Sequence, residues 1–241
     1  MGTPIRPNGM TSAAAALRYW ERKQEVASNN LANVSTDGFK GEKVFARMVD
    51  GALPTADAVT DFTPGAVTDT GNKYDVAIEG KGFFVVQSPN GERLSRGGSL
   101  HVDDRGDLVD SSGHALLGDH GPIQVSDKGG VPPGDLSISH TGIVTVGTNE
   151  VGRLRLETAP DKVALAHEGS GLFVPPQKRM PMSDDAPVVR QGALEESNVT
   201  PVSEMVDMIS IQRAFTAVQK AMTTLDAARG IATSELGRPA N

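Results

Sequence analysis

Asp103, Arg105 and Asp107 alternate in the manner of the first ligand positions of a calcium loop, whose task is to gather oxygen atoms around a hard cation. Arg105 puts a cation where an oxygen is required, and no glutamate follows at the twelfth position, so the stretch reads as a turn. His101, His114, His120, His140 and His167 are the other candidates for ligating a metal or moving a proton. They are scattered, with no HExxH or other ligand pair, and each reads as a surface or hydrogen-bonded residue. No GxSxG, Walker-type loop or dinucleotide fingerprint appears, and GKGFF (Gly80 to Phe84) is a strand bend and not a phosphate loop. The absence of cysteine rules out disulfides, thiolate metal sites and cysteine nucleophiles. The expectation is a protein that is not an enzyme, with no catalytic residue, cofactor, metal or small-molecule substrate.

What these residues sit on is more informative. With 241 residues, 38% hydrophobic and 22% charged, the chain is long enough for one or two domains with a real core. A net charge of −7 argues against nucleic acid or anionic lipid as partner, since both require a basic surface. From Thr200, a good N-cap followed by Pro201 at the first helical position, the sequence predicts a helix to Arg229, about 43 Å long. Met208, Ile211, Phe215, Val218, Met222 and Leu225 step by three and four along it and form a heptad seam. A second, thinner seam runs through Met10, Ala13, Leu17, Trp20, Gln24, Ala27 and Leu31, with the alanines at 13–16 supplying helix propensity. Taken alone, the residues favour an antiparallel pair of end helices over a polymer contact.

Between the helices, Gly41 to Tyr74 shows no convincing period and reads as a linker or extended arm. DVAIEGKGFFVVQ (Asp75 to Gln87) reads as two short strands and a bend, and Ser88-Pro89-Asn90-Gly91 as a tight hairpin. Further short β segments run from Leu94 to Val125, and Leu136 to Val174 reads as four strands, LSISHTGIVTV, VGRLRLE, KVALAHE and GLFV. A twisted barrel or sandwich is expected, and a fragment from about Tyr74 to Val189 is expected to fold alone. Pro175 to Val189 is proline-rich and extended. The fold class is α+β: N- and C-terminal α-helices packing as a coiled-coil-like region, with a central all-β domain. The divisions are 1–40, 41–74, 75–189 and 190–241. The N-terminus, MGTPIRPNG, has no apolar run and is neither a cleavable signal peptide nor a membrane span.

Two stretches carry a family resemblance. NNLANVSTDGFK (Asn29 to Lys40) is similar to the N-terminal signature of bacterial flagellar axial proteins, the rod and hook group, and GALEESNV (Gly192 to Val199) with EMVDMISIQRAF (Glu204 to Phe215) resembles the C-terminal one. The middle region resembles the same family, with Leu94, Gly97 and Leu100 replacing its usual Tyr, Asp and Phe. The resemblance implies a structural subunit of the basal-body rod, closest to the proximal-rod type because the arm after the first signature is short. It implies self-assembly with other copies and other axial proteins into the shaft that carries torque to the hook. It also implies passage through the flagellar type III export apparatus without a cleaved signal, no direct membrane insertion, and a place in the rod crossing the periplasm. Under it the seams become assembly surfaces, and the expected interface residues are Met10, Leu17, Trp20, Leu31, Asn29, Asn30, Asn33, Phe39, Met208, Ile211, Phe215, Val218, Met222 and Leu225. A distal-rod or hook-type subunit, a β-rich binding module of another secreted assembly, and a hydrolase with an unmarked site are the other readings. Self-association separates the axial readings from the last two.

Overall fold

The computed structural model describes residues 9–47, 55–126, 134–159, 165–169, 171–175, 180–181 and 188–236. The readings made on residues 1–8, on Lys162 to Ala164, on most of Pro175 to Val189 and on the last five residues lie outside these. The chain divides into two compact units: Met1–Ala32 with Glu42–Val59 and Thr200–Asn241, and Asn33–Gly41 with Thr60–Val199.

The helical unit holds α1 (Gly9–Ala32) and α2 (Pro201–Leu236). The amide of Glu204 donates to the Thr200 carbonyl at 3.2 Å, which places the first turn where the cap residues predicted it. α2 runs past Arg229 and through Gly230, because one exposed glycine costs a helix only about 1 kcal/mol and no capping turn follows it. The helices pack antiparallel. At one end a Cβ on Gly9 would lie 3.5 Å from Leu225 Cδ1, and at the other Asn30 Nδ2 lies 3.4 Å from Glu204 Oε1. Strands Glu42–Arg47 and Thr55–Thr60 pair in a two-stranded sheet, within the segment that had read as a linker. Asn30 ties α1 to the first of them, donating to the Glu42 carbonyl and accepting from the Glu42 amide, both at 3.0 Å.

In the β unit the largest sheet runs in the order His167–Gly169, Leu172–Phe173, Gly91–Ser95, Phe83–Ser88, Ala115–Gly118, Leu108–Asp110, Leu100–Val102, with three short strands paired off this path. The hairpin at Ser88 to Gly91 forms as read, with Gly91 at φ 103° and Ser88 Oγ accepting from the Asn90 amide at 3.2 Å. Leu136 to Val146, read as one strand, is instead a hairpin of Leu136–Ile138 on Ile143–Val146. Gly142, at φ 81°, donates to the Ser139 carbonyl at 2.9 Å and turns the chain. Two further pairs join distant parts: Val76–Glu79 with Val188–Gln191, and Val67–Asp69 with Ala193–Glu195. One core is built on Val76, Phe84, Val86, Leu108 and Val144, and a second on Phe83, Val85, Leu94 and Phe173, with Phe62 packed against it.

Candidate functional site

The seam of α2 is covered from within the chain. Ile211 is fully buried, and Met208, Phe215, Val218 and Met222 are half-buried along the side of α2 that meets α1, while Leu225 stays exposed. On α1, Met10, Leu17, Trp20 and Leu31 are half-buried, Val26, Ala27 and Asn30 are buried, and Gln24 and Asn29 are exposed. Glu204, the carboxylate facing Asn30, has its pKa raised by burial, against the Asn30 hydrogen bond that pulls the other way.

A second apolar stripe on α2 was missed by the sequence reading. Val202, Met205, Val206 and Ile209 are each more than half exposed. At 100° per residue they cluster nearly opposite the seam, so the covering of the seam leaves them outside. Their three-and-four spacing was legible, but it was masked by the longer and stronger heptad beside it.

The two signatures meet in the β unit and not at its surface. The turn from Asn33 to Gly41 is closed by the Thr36 amide donating to Asn33 O at 3.1 Å and the Phe39 amide donating to Thr36 O at 3.2 Å, and Asn33 Oδ1 accepts from Thr36 Oγ1 at 3.2 Å. It delivers Phe39, 1% exposed, edge-on to His167 with ring centroids 6.0 Å apart. Lys40 follows and is equally buried. Its Nζ donates to Glu195 Oε1 at 2.5 Å and to the Thr63 carbonyl at 3.1 Å, and the Gly65 amide donates to the same Oε1 at 3.0 Å. Arg96 Nε lies 2.8 Å from Glu195 Oε2, an ion pair without good hydrogen-bond alignment, since Oε2 accepts no well-directed N–H. Arg96 spends its other donors on the carbonyls of Gly82 and Gly80, at 2.9 and 2.8 Å. Burial lowers the pKa of both Lys40 and Arg96, and Glu195 opposes this in each. Asn198 completes the knot, accepting from the Gly41 amide at 2.8 Å and donating to Asp61 O at 2.7 Å. Lys40, Arg96, Glu195 and Asn198 were not singled out from the sequence. The signal was there for three of them, in charged and amide letters inside the two signatures, while Arg96 lies in the middle region.

The candidate ligands serve turns. Asp103 Oδ1 accepts the amides of Arg105 and Asp107, both at 2.9 Å, and Asp110 accepts the amides of Ser112 and His114 and lies 3.0 Å from His114 Nδ1. Among the described residues no three His, Asp or Glu side chains are grouped to hold a metal ion, and no helix is long and apolar enough to cross a membrane.

The described residues thus hold a buried polar knot, paired end helices and an exposed apolar helix face. Residues 10–40 match the family model described as flagella basal body rod protein, residues 77–146 that of the flagellar hook protein FlgE/F/G D1 domain, and residues 190–234 that of the flagellar basal body rod FlgEFG protein C-terminal. The chain is 34% identical to flagellar basal-body rod protein FlgF of Caulobacter vibrioides, over 91% of this chain and 90% of that one. It is 34% identical to FlgF of Escherichia coli, over 89% and 92%, and 30% identical to flagellar basal-body rod protein FlgG of Buchnera aphidicola, over 83% and 89%. The chain belongs to the flagellar basal-body rod protein family, and is a structural subunit and not an enzyme.

Proposed function

We propose that this subunit assembles with copies of itself and with other axial proteins through the outward face of α2, as part of the shaft that carries torque to the hook, after export through the flagellar type III apparatus. The observation that carries the reading is the stripe of Val202, Met205, Val206 and Ile209, each more than half exposed on a helix whose other apolar side is already covered. Leu225, although exposed, lies on the seam side of α2 toward Gly9 and is no part of that stripe. The remaining seam residues contribute indirectly, by packing α2 on α1 in a coiled-coil-like manner and so keeping the stripe outside. Asn30 and Phe39 act inside their own units. A stripe that meets a different surface on the next copy gives a heterologous contact, which builds a shaft and not a closed ring.

The short arm after the first signature supports a proximal position in the rod. Imaging basal bodies from cells lacking the subunit tests both parts. A shaft that stops in its proximal segment, with no hook, is expected. A shaft that stops farther out would make this a distal subunit, and a complete rod would overturn the assignment. Met205→Asp should reproduce the deletion while leaving the monomer folded.

A further inference from the structure

The segments that meet at Glu195 come from far apart: Lys40 is 155 positions away and Gly65 is 130. Each brings a group that is costly without the others. Lys40 and Arg96 are cations out of contact with water, and Glu195 is the carboxylate that both reach. Two cations on one anion leave an excess of positive charge, which the carbonyls of Thr63, Gly80 and Gly82 take up. Without the segment Ala193 to Asn198, Lys40 and Arg96 would repel each other without an intervening anion. The Gly38 amide would lose its acceptor at Glu195 O, and strand Val67–Asp69 would lose its partner. An unpaired buried charge costs more than a paired one gains, so a partly formed knot is worse than none. Contacts of such sequence separation also form late, because the loop must close before they contribute.

We propose that Lys40, Arg96 and Glu195 are a closing latch for the β unit: its core completes only when the C-terminal signature joins the N-terminal one, in a single late step that needs both ends of the chain. The subunit thus has no finished body while its last fifty residues are missing or out of place.

Pulse-labelling hydrogen exchange during refolding of the full chain tests the order of events. The amides of Gly38, Gly65 and Glu196 should become protected in the same kinetic phase as those of Val76, Val85 and Leu108. Protection of the three sheet amides in an earlier phase would overturn the proposal. At equilibrium, Glu195→Ala should speed exchange at least tenfold at both sets of amides and by a similar factor. Acceleration confined to the latch amides would mean that the knot is a local feature. The triple variant Lys40→Met, Arg96→Met, Glu195→Leu removes all three charges and should restore most of the protection at both sets. A triple variant as open as Glu195→Ala would show that charge is not what closes the unit.

Discussion

Asp37, in the turn of the first signature, has its carboxyl pKa raised by burial and by the neighbouring charges of Asp75 and Glu196. The folded state therefore binds this proton more tightly than the unfolded chain does. Its effect on stability is a cost that grows as pH rises from the ordinary carboxylate range through the raised value, and it is fully present at neutral pH. Asp37→Asn should melt higher than wild type at pH 7, and the difference should shrink on acidification toward pH 3. A difference that grows on acidification would contradict the assignment. One position later lies a stricter constraint: Gly38 sits at φ 65°, and a Cβ there would come within 2.3 Å of the Arg96 carbonyl. Gly38→Ala should cost about 3 kcal/mol or more, measured by denaturant unfolding of the β unit. The sequence from Asn33 to Gly38 carries the turn and its positive φ as local properties, but not the surface against which Phe39 packs, the ring of His167 in the β unit. It did not show that Lys40 answers Glu195, because nothing local to either residue records a partner 155 positions away.

At the scale of elements, the two end helices were legible because caps and heptads are periodic, short-range signals, although α2 runs on to Leu236, past the Arg229 at which the sequence was read to end it. The cover of the seam was read two ways: the residues alone favoured an antiparallel pair of end helices, which forms, and the family resemblance made the seams assembly surfaces. An apolar stripe states that it must be buried but does not name the surface that buries it, and here α1 covers α2 within one chain. The arm held strands that no period announced, since a short two-stranded sheet tied by Asn30 needs little pattern of its own. A prediction belongs to α2 alone. A Cβ on Gly230 would meet nothing within 4 Å, so Gly230→Ala should stabilise the end of α2 by about 0.5–1 kcal/mol, readable as increased helicity by circular dichroism. No gain in helicity would mean that the last turns are held in place by something other than propensity.

At the scale of the whole molecule, the strands between Tyr74 and Val189 looked sufficient for a body that folds alone. That fragment lacks Phe39, Phe62, strands Val67–Asp69 and Ala193–Glu195, and the carboxylate that Arg96 faces inside the β unit. It is now expected to unfold without a cooperative transition, or at far lower denaturant than the full chain, and a sharp native-like melt would contradict this. The proposed assembly through the open face of α2 is tested by a pair of substitutions that separates its two apolar faces. Phe215→Asp places a charge between the helices and should cost the monomer about 2–4 kcal/mol, whereas Ile209→Asp lies on the open stripe and should leave it unchanged. The direct measurement is thermal unfolding of the purified Ile209→Asp monomer beside imaging of basal bodies from cells that carry it. A wild-type melting temperature with rods absent or truncated is the predicted result, and normal rods built from that variant would contradict assembly through this face.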